Sequence, residues 1–136
     1  MKYVIYLISI LLMTISSCKK TDKIENSGLN GKWQLVEIYD GYTNGGSFSW
    51  KYVSNDNSHI LTFTVNGQYI RKENLNGNFR ECLGTFQVQP NNIVEVNSNC
   101  NTITENLIIS ELTSTTLIID RQGIEGKIRY KYSATK

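Results

Sequence analysis

Proline appears once in this chain, at Pro90, and histidine once, at His59; no basic cluster is present, and the formal charge of +2 falls further if Lys2 is removed with an export signal. The missing basic patch argues against a nucleic-acid partner. A lone histidine rules out a multi-histidine metal centre, and scattered single carboxylates offer no acidic pair for glycoside hydrolysis. No window of helical length shows a 3.6-residue apolar period, which excludes a helical domain. What is abundant instead is Asn, Gly, Ser and Thr, a balance that suits many short strands joined by tight turns.

The only long apolar run, Tyr3 to Ile15, follows the positive start Met1-Lys2 and is interrupted by Ser9 and Thr14. As a helix it would reach about 20 Å, short of the ~30 Å hydrocarbon core of a bilayer. It therefore reads as a cleaved signal over residues 1–17 rather than a permanent span, the alternative being a buried N-terminal helix. Ile15-Ser16-Ser17-Cys18 resembles the lipobox of bacterial lipoproteins. That resemblance implies cleavage before Cys18, a thioether-linked diacylglycerol on its sulfur and a further acyl chain on its new amine. Two or three acyl chains make membrane attachment lasting, where one gives only marginal binding. Lys19-Lys20 and the polar stretch to Gly28 read as a flexible tether over residues 18–28. No Asp follows the cysteine and no acidic cluster is present, which in lipoproteins points to the periplasmic face of the outer membrane.

Export leaves about 120 residues, one domain of ordinary size, placed at 29–136. Once Cys18 is given to lipid, Cys82 and Cys100 remain, in a protein bound for an oxidising compartment. A disulfide is the natural pairing. Zinc is the competing reading, but two thiols without a nearby His or further Cys fall short of its four ligands.

From Gly31 onward the apolar pattern alternates in twos, so the domain is expected to be all-β. Lys32 to Tyr39 sets Trp33 and Leu35 against Val36 and Ile38. His59 to Val65 carries Leu61, Phe63 and Val65 on one face. Asn66-Gly67 then predicts a type I′ turn, and Gln68 to Lys72 the return strand. Arg80 to Gln89 shares one face among Cys82, Gly84, Phe86 and Val88, turns at Pro90-Asn91, and returns as Ile93 to Val96. Ile103 to Leu112, Thr116 to Asp120 and Lys127 to Ser133 follow. With a further strand in Ser47 to Val53, the count is about eight, in antiparallel up-and-down order. Closing the sheet into a barrel removes its edges; an open sandwich is the alternative.

Leu29-Asn30-Gly31-Lys32-Trp33-Gln34-Leu35-Val36 resembles the Gly-x-Trp opening of lipocalin-like domains. Small bacterial lipoproteins of that group also show runs like Leu61-Thr62-Phe63-Thr64-Val65-Asn66-Gly67, Cys82-Leu83-Gly84-Thr85-Phe86, and Leu112-Thr113 with Leu117, so the resemblance spans nearly all of Leu29 to Ser133. It implies an approximately eight-stranded barrel closed at one end by Trp33. A basic side chain from the last strand, here Arg129, would pack on that indole with a cation–π contact of ~1 kcal/mol. It further implies a small apolar or amphipathic ligand, for which the inward candidates are Leu35, Phe63, Phe86, Tyr130 and Tyr132.

No catalytic residue stands out. Ser54, Asp56 and His59 are sequence neighbours on one polar turn, which rarely form a relay, so the chain is not expected to be an enzyme and no cofactor is implied. Asp40 to Val53 mixes Gly41, Gly45 and Gly46 with Tyr42, Phe48, Trp50 and Tyr52. These aromatics suit a lid or a sugar platform, but the alternation of Phe48, Trp50 and Tyr52 favours an ordinary hairpin whose rings cover the core. The functional readings are thus a membrane-tethered ligand carrier, a filled barrel acting through protein contacts, and a glycan binder.

Overall fold

The computed structural model describes residues 26–40, 48–123 and 126–136. The expected signal at 1–17, the expected lipid acceptor Cys18, and Gly41, Tyr42, Gly45 and Gly46 lie outside the described residues. A helical turn, α1 (Asn26–Leu29), precedes nine strands: β1 (Gly31–Asp40), β2 (Ser49–Tyr52), β3 (His59–Phe63), β4 (Gln68–Leu75), β5 (Asn78–Gln89), β6 (Ile93–Ser98), β7 (Glu105–Leu112), β8 (Thr116–Gly123) and β9 (Gly126–Thr135). The helical turn starts three residues before the expected domain boundary, because Leu29 is fully buried and anchors the segment.

Every pairing is antiparallel. β3 through β9 follow one another, and β1 closes the ring by pairing with β3 on one side and β9 on the other. Eight strands thus form the closed barrel. β2 is the extra one, attached to the C-terminal half of β1 through Glu37↔Tyr52 to Asp40↔Ser49. Full closure leaves no unpaired edge in the ring, the physical reason a meander of this length rolls up.

Alternation delivers one side chain in two to the interior. Trp33 and Leu35 face inward from β1. A bulge between Leu35 and Glu37 resets the phase, so Ile38 joins them inside rather than opposing them as simple alternation predicts. Leu61, Phe63, Phe86, Val94, Val96, Leu107, Ile109, Leu117 and Ile119 complete a continuous apolar core. Phe63 sits at its centre, edge-on to Phe86 at 5.0 Å and tilted against Tyr69 at 5.4 Å. α1 covers the core at one end, where the Trp33 indole N–H donates to the Leu29 carbonyl at 2.8 Å.

The turn chemistry departs from expectation in one instructive way. Between β3 and β4, positive φ occurs at Gly67 but not at Asn66, and Gly67 N–H donates to Thr64 O at 3.0 Å. This is the longer hairpin loop with a glycine bulge, so β3 ends at Phe63 and Val65 is exposed. The two-residue turn with both central residues at positive φ lies one hairpin later, at Asn76-Gly77 (φ 53° and 83°), and carries β4 on to Leu75. Asn-Gly dipeptides thus occupy both loops, and strand register decides which one turns tightly.

Candidate functional site

The interior is divided in two along the strands. Near α1 it is apolar and filled: Leu35, Phe63 and Phe86, expected to line a ligand cavity, are packed into the core. Towards the opposite end the inward positions turn polar. His59 is the first residue of β3 and Glu105 the first of β7, Arg71 and Glu73 are the fourth and sixth residues of β4, and Arg121 extends the inward phase of Leu117 and Ile119 on β8. Tyr130 and Tyr132 of β9 complete the group.

These side chains touch. Arg71 Nε lies 3.0 Å from Glu73 Oε1, and its Nη1 lies 3.5 Å from Glu105 Oε2. Glu105 also pairs with Arg121. The Arg121 guanidinium stands 5.2 Å above the Tyr130 ring, a cation–π distance. His59 Nε2 and the Tyr132 hydroxyl share a hydrogen bond of 2.7 Å. Arg71 Nη2 also approaches Cys82 Sγ at 3.8 Å, tying the group to the disulfide between Cys82 and Cys100, whose Cα atoms are 5.4 Å apart. Two arginines and two glutamates balance in charge, as burial requires.

Local fields differ from that overall balance. Burial, and then the positive charges of Arg71 and Arg121, lower the His59 pKa to about 4, so the imidazole is neutral at ordinary pH. Burial pushes the Tyr69 hydroxyl up to about 12 and also raises that of Tyr132. Both phenols therefore stay protonated and act as neutral hydrogen-bonding groups. His59 makes a testable contribution to pH dependence. Unfolded, it takes up a proton near its ordinary value of 6.5, whereas in the native state it resists until about 4. Its contribution is complete above pH 6.5 and is lost as pH falls towards 4, about 3 kcal/mol in all at 1.36 kcal/mol per unit. Urea titrations between pH 7 and 4 should show this slope, and His59→Gln should flatten it; an unchanged slope in the variant would assign the acid sensitivity elsewhere.

Beside the polar group, Cys100, Asn101, Thr102, Ile103, Thr104 and Glu105 line a depression of about 410 Å³. Ile103 belongs to this loop, not to β7, and is exposed. Among the described residues, no three His, Cys, Asp or Glu side chains converge as a metal centre needs.

Two expected placements are corrected. Arg129 does not reach Trp33: Ala134 is the partner of Trp33 in the β1–β9 register, and Arg129 is opposite Tyr39, five residues up β9, or roughly 17 Å. The alternation that turns Tyr130 and Tyr132 inward turns Arg129 outward, where it pairs with Asp120 at 3.3 Å. Second, the aromatics of the 48–52 segment do not cover the core. Phe48, Trp50 and Tyr52 are 40, 38 and 77 % exposed on the outer face. Phe48 stacks on Tyr39 at 5.5 Å and Trp50 tilts against it at 5.3 Å. Lys131, paired with Glu37 at 2.6 Å, stands 5.6 Å from the Trp50 ring.

Sequence reasoning missed Arg71, Glu73, Glu105 and Arg121 as a group. The signal was present: Tyr69-x-Arg71-x-Glu73 and Leu117-x-Ile119-x-Arg121 place charges in phase with inward apolar residues. Ending the strands at Lys72 and Asp120 cut those patterns short.

No family model and no curated protein matches the sequence. Among solved structures, a lipocalin-like protein from Bacteroides uniformis ATCC 8492 superposes with a TM-score of 0.57 at 15 % identity, over 79 % of this chain and 99 % of that one. The chain is thus a lipocalin-like barrel in fold, with the added strand β2.

Proposed function

We propose that this chain is a lipid-anchored protein of the bacterial envelope, facing the periplasm from the outer membrane, which binds a small amphipathic molecule at the end of the barrel opposite α1. The observation that carries the reading is the division of the interior. The half near α1 is filled by Leu35, Phe63 and Phe86, which leaves no reason for an apolar ligand to enter deeply. The other half holds Tyr130, Tyr132, His59 and the paired charges beside a depression of about 410 Å³, within the size range of small-molecule sites. The anchor rests on the lipobox-like Ile15-Ser16-Ser17-Cys18 and the short apolar run before it. Glu73 and Glu105 are both engaged by arginine, which suits binding rather than proton transfer.

A second reading has its own support. The exposed Phe48, Trp50 and Tyr52, gathered around a half-buried Tyr39 on the outer face, suit a protein or glycan partner met through the surface. Mass spectrometry of the protein extracted from membranes tests both halves of the proposal. A denatured mass equal to Cys18–Lys136 plus a diacylglyceryl group and an acyl chain supports the anchor; retention of residues 1–17 overturns it. A native mass that exceeds the denatured one by a small molecule supports the carrier reading. Equal masses, with sugars quenching Trp50 fluorescence, transfer the function to the outer face.

A further inference from the structure

Arg71 is an unusual residue to find inside a barrel. Its side chain is nine-tenths buried, yet its hydrogen-bonding capacity is poorly used. Nε stands 3.0 Å from Glu73 Oε1 but makes no hydrogen bond, because its N–H does not point at the carboxylate. Nη1 is 3.5 Å from Glu105, long for a charged hydrogen bond, and Nη2 faces the Cys82 sulfur, a weak acceptor. The Tyr69 hydroxyl is a further side-chain partner of the guanidinium, which is thus neutralised but leaves its Nε without a hydrogen bond. Arg121, 41 % exposed, pairs with the same Glu105 and stands over the Tyr130 ring. Glu105 alone bridges the two arginines, and it also lines the depression formed by 100–105.

We propose that Arg71 and Arg121 form a receptor for the oxyanion of the bound ligand, a carboxylate or a phosphate ester carried on a short apolar body, and that Glu105 is an internal competitor for that position. The proposal rests on the reading that the ligand binds at this end of the barrel. Guanidinium groups recognise planar and tetrahedral oxyanions through paired N–H donors, and an entering anion supplies the well-directed acceptors that Glu73 and Glu105 do not. His59 beside them is kept unprotonated first by its burial and then by the positive charges of Arg71 and Arg121, so both guanidinium groups are felt at this end of the interior. The Tyr132 hydroxyl and the His59 imidazole offer neutral polar contacts next to that field. Glu105 begins β7 directly after the loop bordering the depression and is the residue common to that depression and both arginines, and its side chain can move without breaking the barrel ladder.

Titration of the mature, membrane-extracted protein with octanoate, octyl phosphate and octanol, followed by native mass spectrometry and calorimetry, tests this. At least one anion is expected to bind tenfold or more tightly than octanol. Arg121→Gln, at a partly exposed position, is expected to remove that preference, whereas Glu105→Gln is expected to tighten anion binding several-fold. This opposite sign separates competition from a merely structural role. A preference for octanoate over octyl phosphate assigns the head group to a fatty acid, and the reverse assigns it to a phospholipid fragment. Octanol binding as tightly as both anions overturns the anion receptor while leaving a ligand site at this end. Failure of all three probes to bind overturns the receptor and the site together. Weaker anion binding in Glu105→Gln, with the fold intact by circular dichroism, overturns the competitor role.

Discussion

Gly84→Ala should destabilise the barrel by about 3 kcal/mol or more, the upper range for an overpacked site. A Cβ at this position would stand 2.0 Å from the Asn97 carbonyl oxygen and 2.7 Å from Ser98 Cα. Both are backbone atoms of β6, the partner strand in the Gly84↔Ser98 register, so no side chain can swing away to make room. The strands must part, and β5–β6 pairing is needed to keep the ring closed. Urea denaturation monitored by tryptophan fluorescence should show a midpoint lowered by more than about 1 M, given a slope near 2 kcal/mol/M. A midpoint within error of the parent would mean that β5 and β6 lie farther apart in solution.

Reduction of the Cys82–Cys100 disulfide, or its replacement by Cys82→Ser with Cys100→Ser, should have the second largest effect. The bridge spans 18 residues, for which the chain-entropy model gives about 3 kcal/mol. For a domain of this size that corresponds to a midpoint lowered by roughly 12 °C. It also joins β5 to the loop that lines the depression, so its loss frees that loop at the end where Glu105 holds the arginines. Scanning calorimetry with and without reductant measures the change. A shift below about 3 °C would show that the sheet ladder alone fixes the loop.

Much of this architecture was legible from local pattern. The alternation of Ile128, Tyr130 and Tyr132 with Lys127, Arg129 and Lys131 assigns inner and outer faces of β9 without coordinates, and the pairing of Cys82 with Cys100 follows from counting cysteines once Cys18 is assigned to lipid. These features survive because side-chain alternation in a strand is a property of the backbone. The expected pairing of Arg129 with Trp33 failed for the same reason: the alternation that was read correctly already turned Arg129 outward. The phase of Ile38 was lost to a bulge, which no residue type at Val36 announces.

The polar group inside the barrel lies beyond such patterns. Arg71 on β4, Glu105 on β7 and Arg121 on β8 are separated by long stretches of chain, and they meet only because eight strands curl until distant ones face each other across the interior. Alternation tells which side of the sheet a charge occupies. It does not tell how far along the barrel that charge sits once the strands tilt and the register staggers. The all-β class, the strand order and the disulfide are therefore written in short-range spacing, whereas the juxtaposition of two arginines around one glutamate is a consequence of closure, twist and register that exists only in the folded barrel.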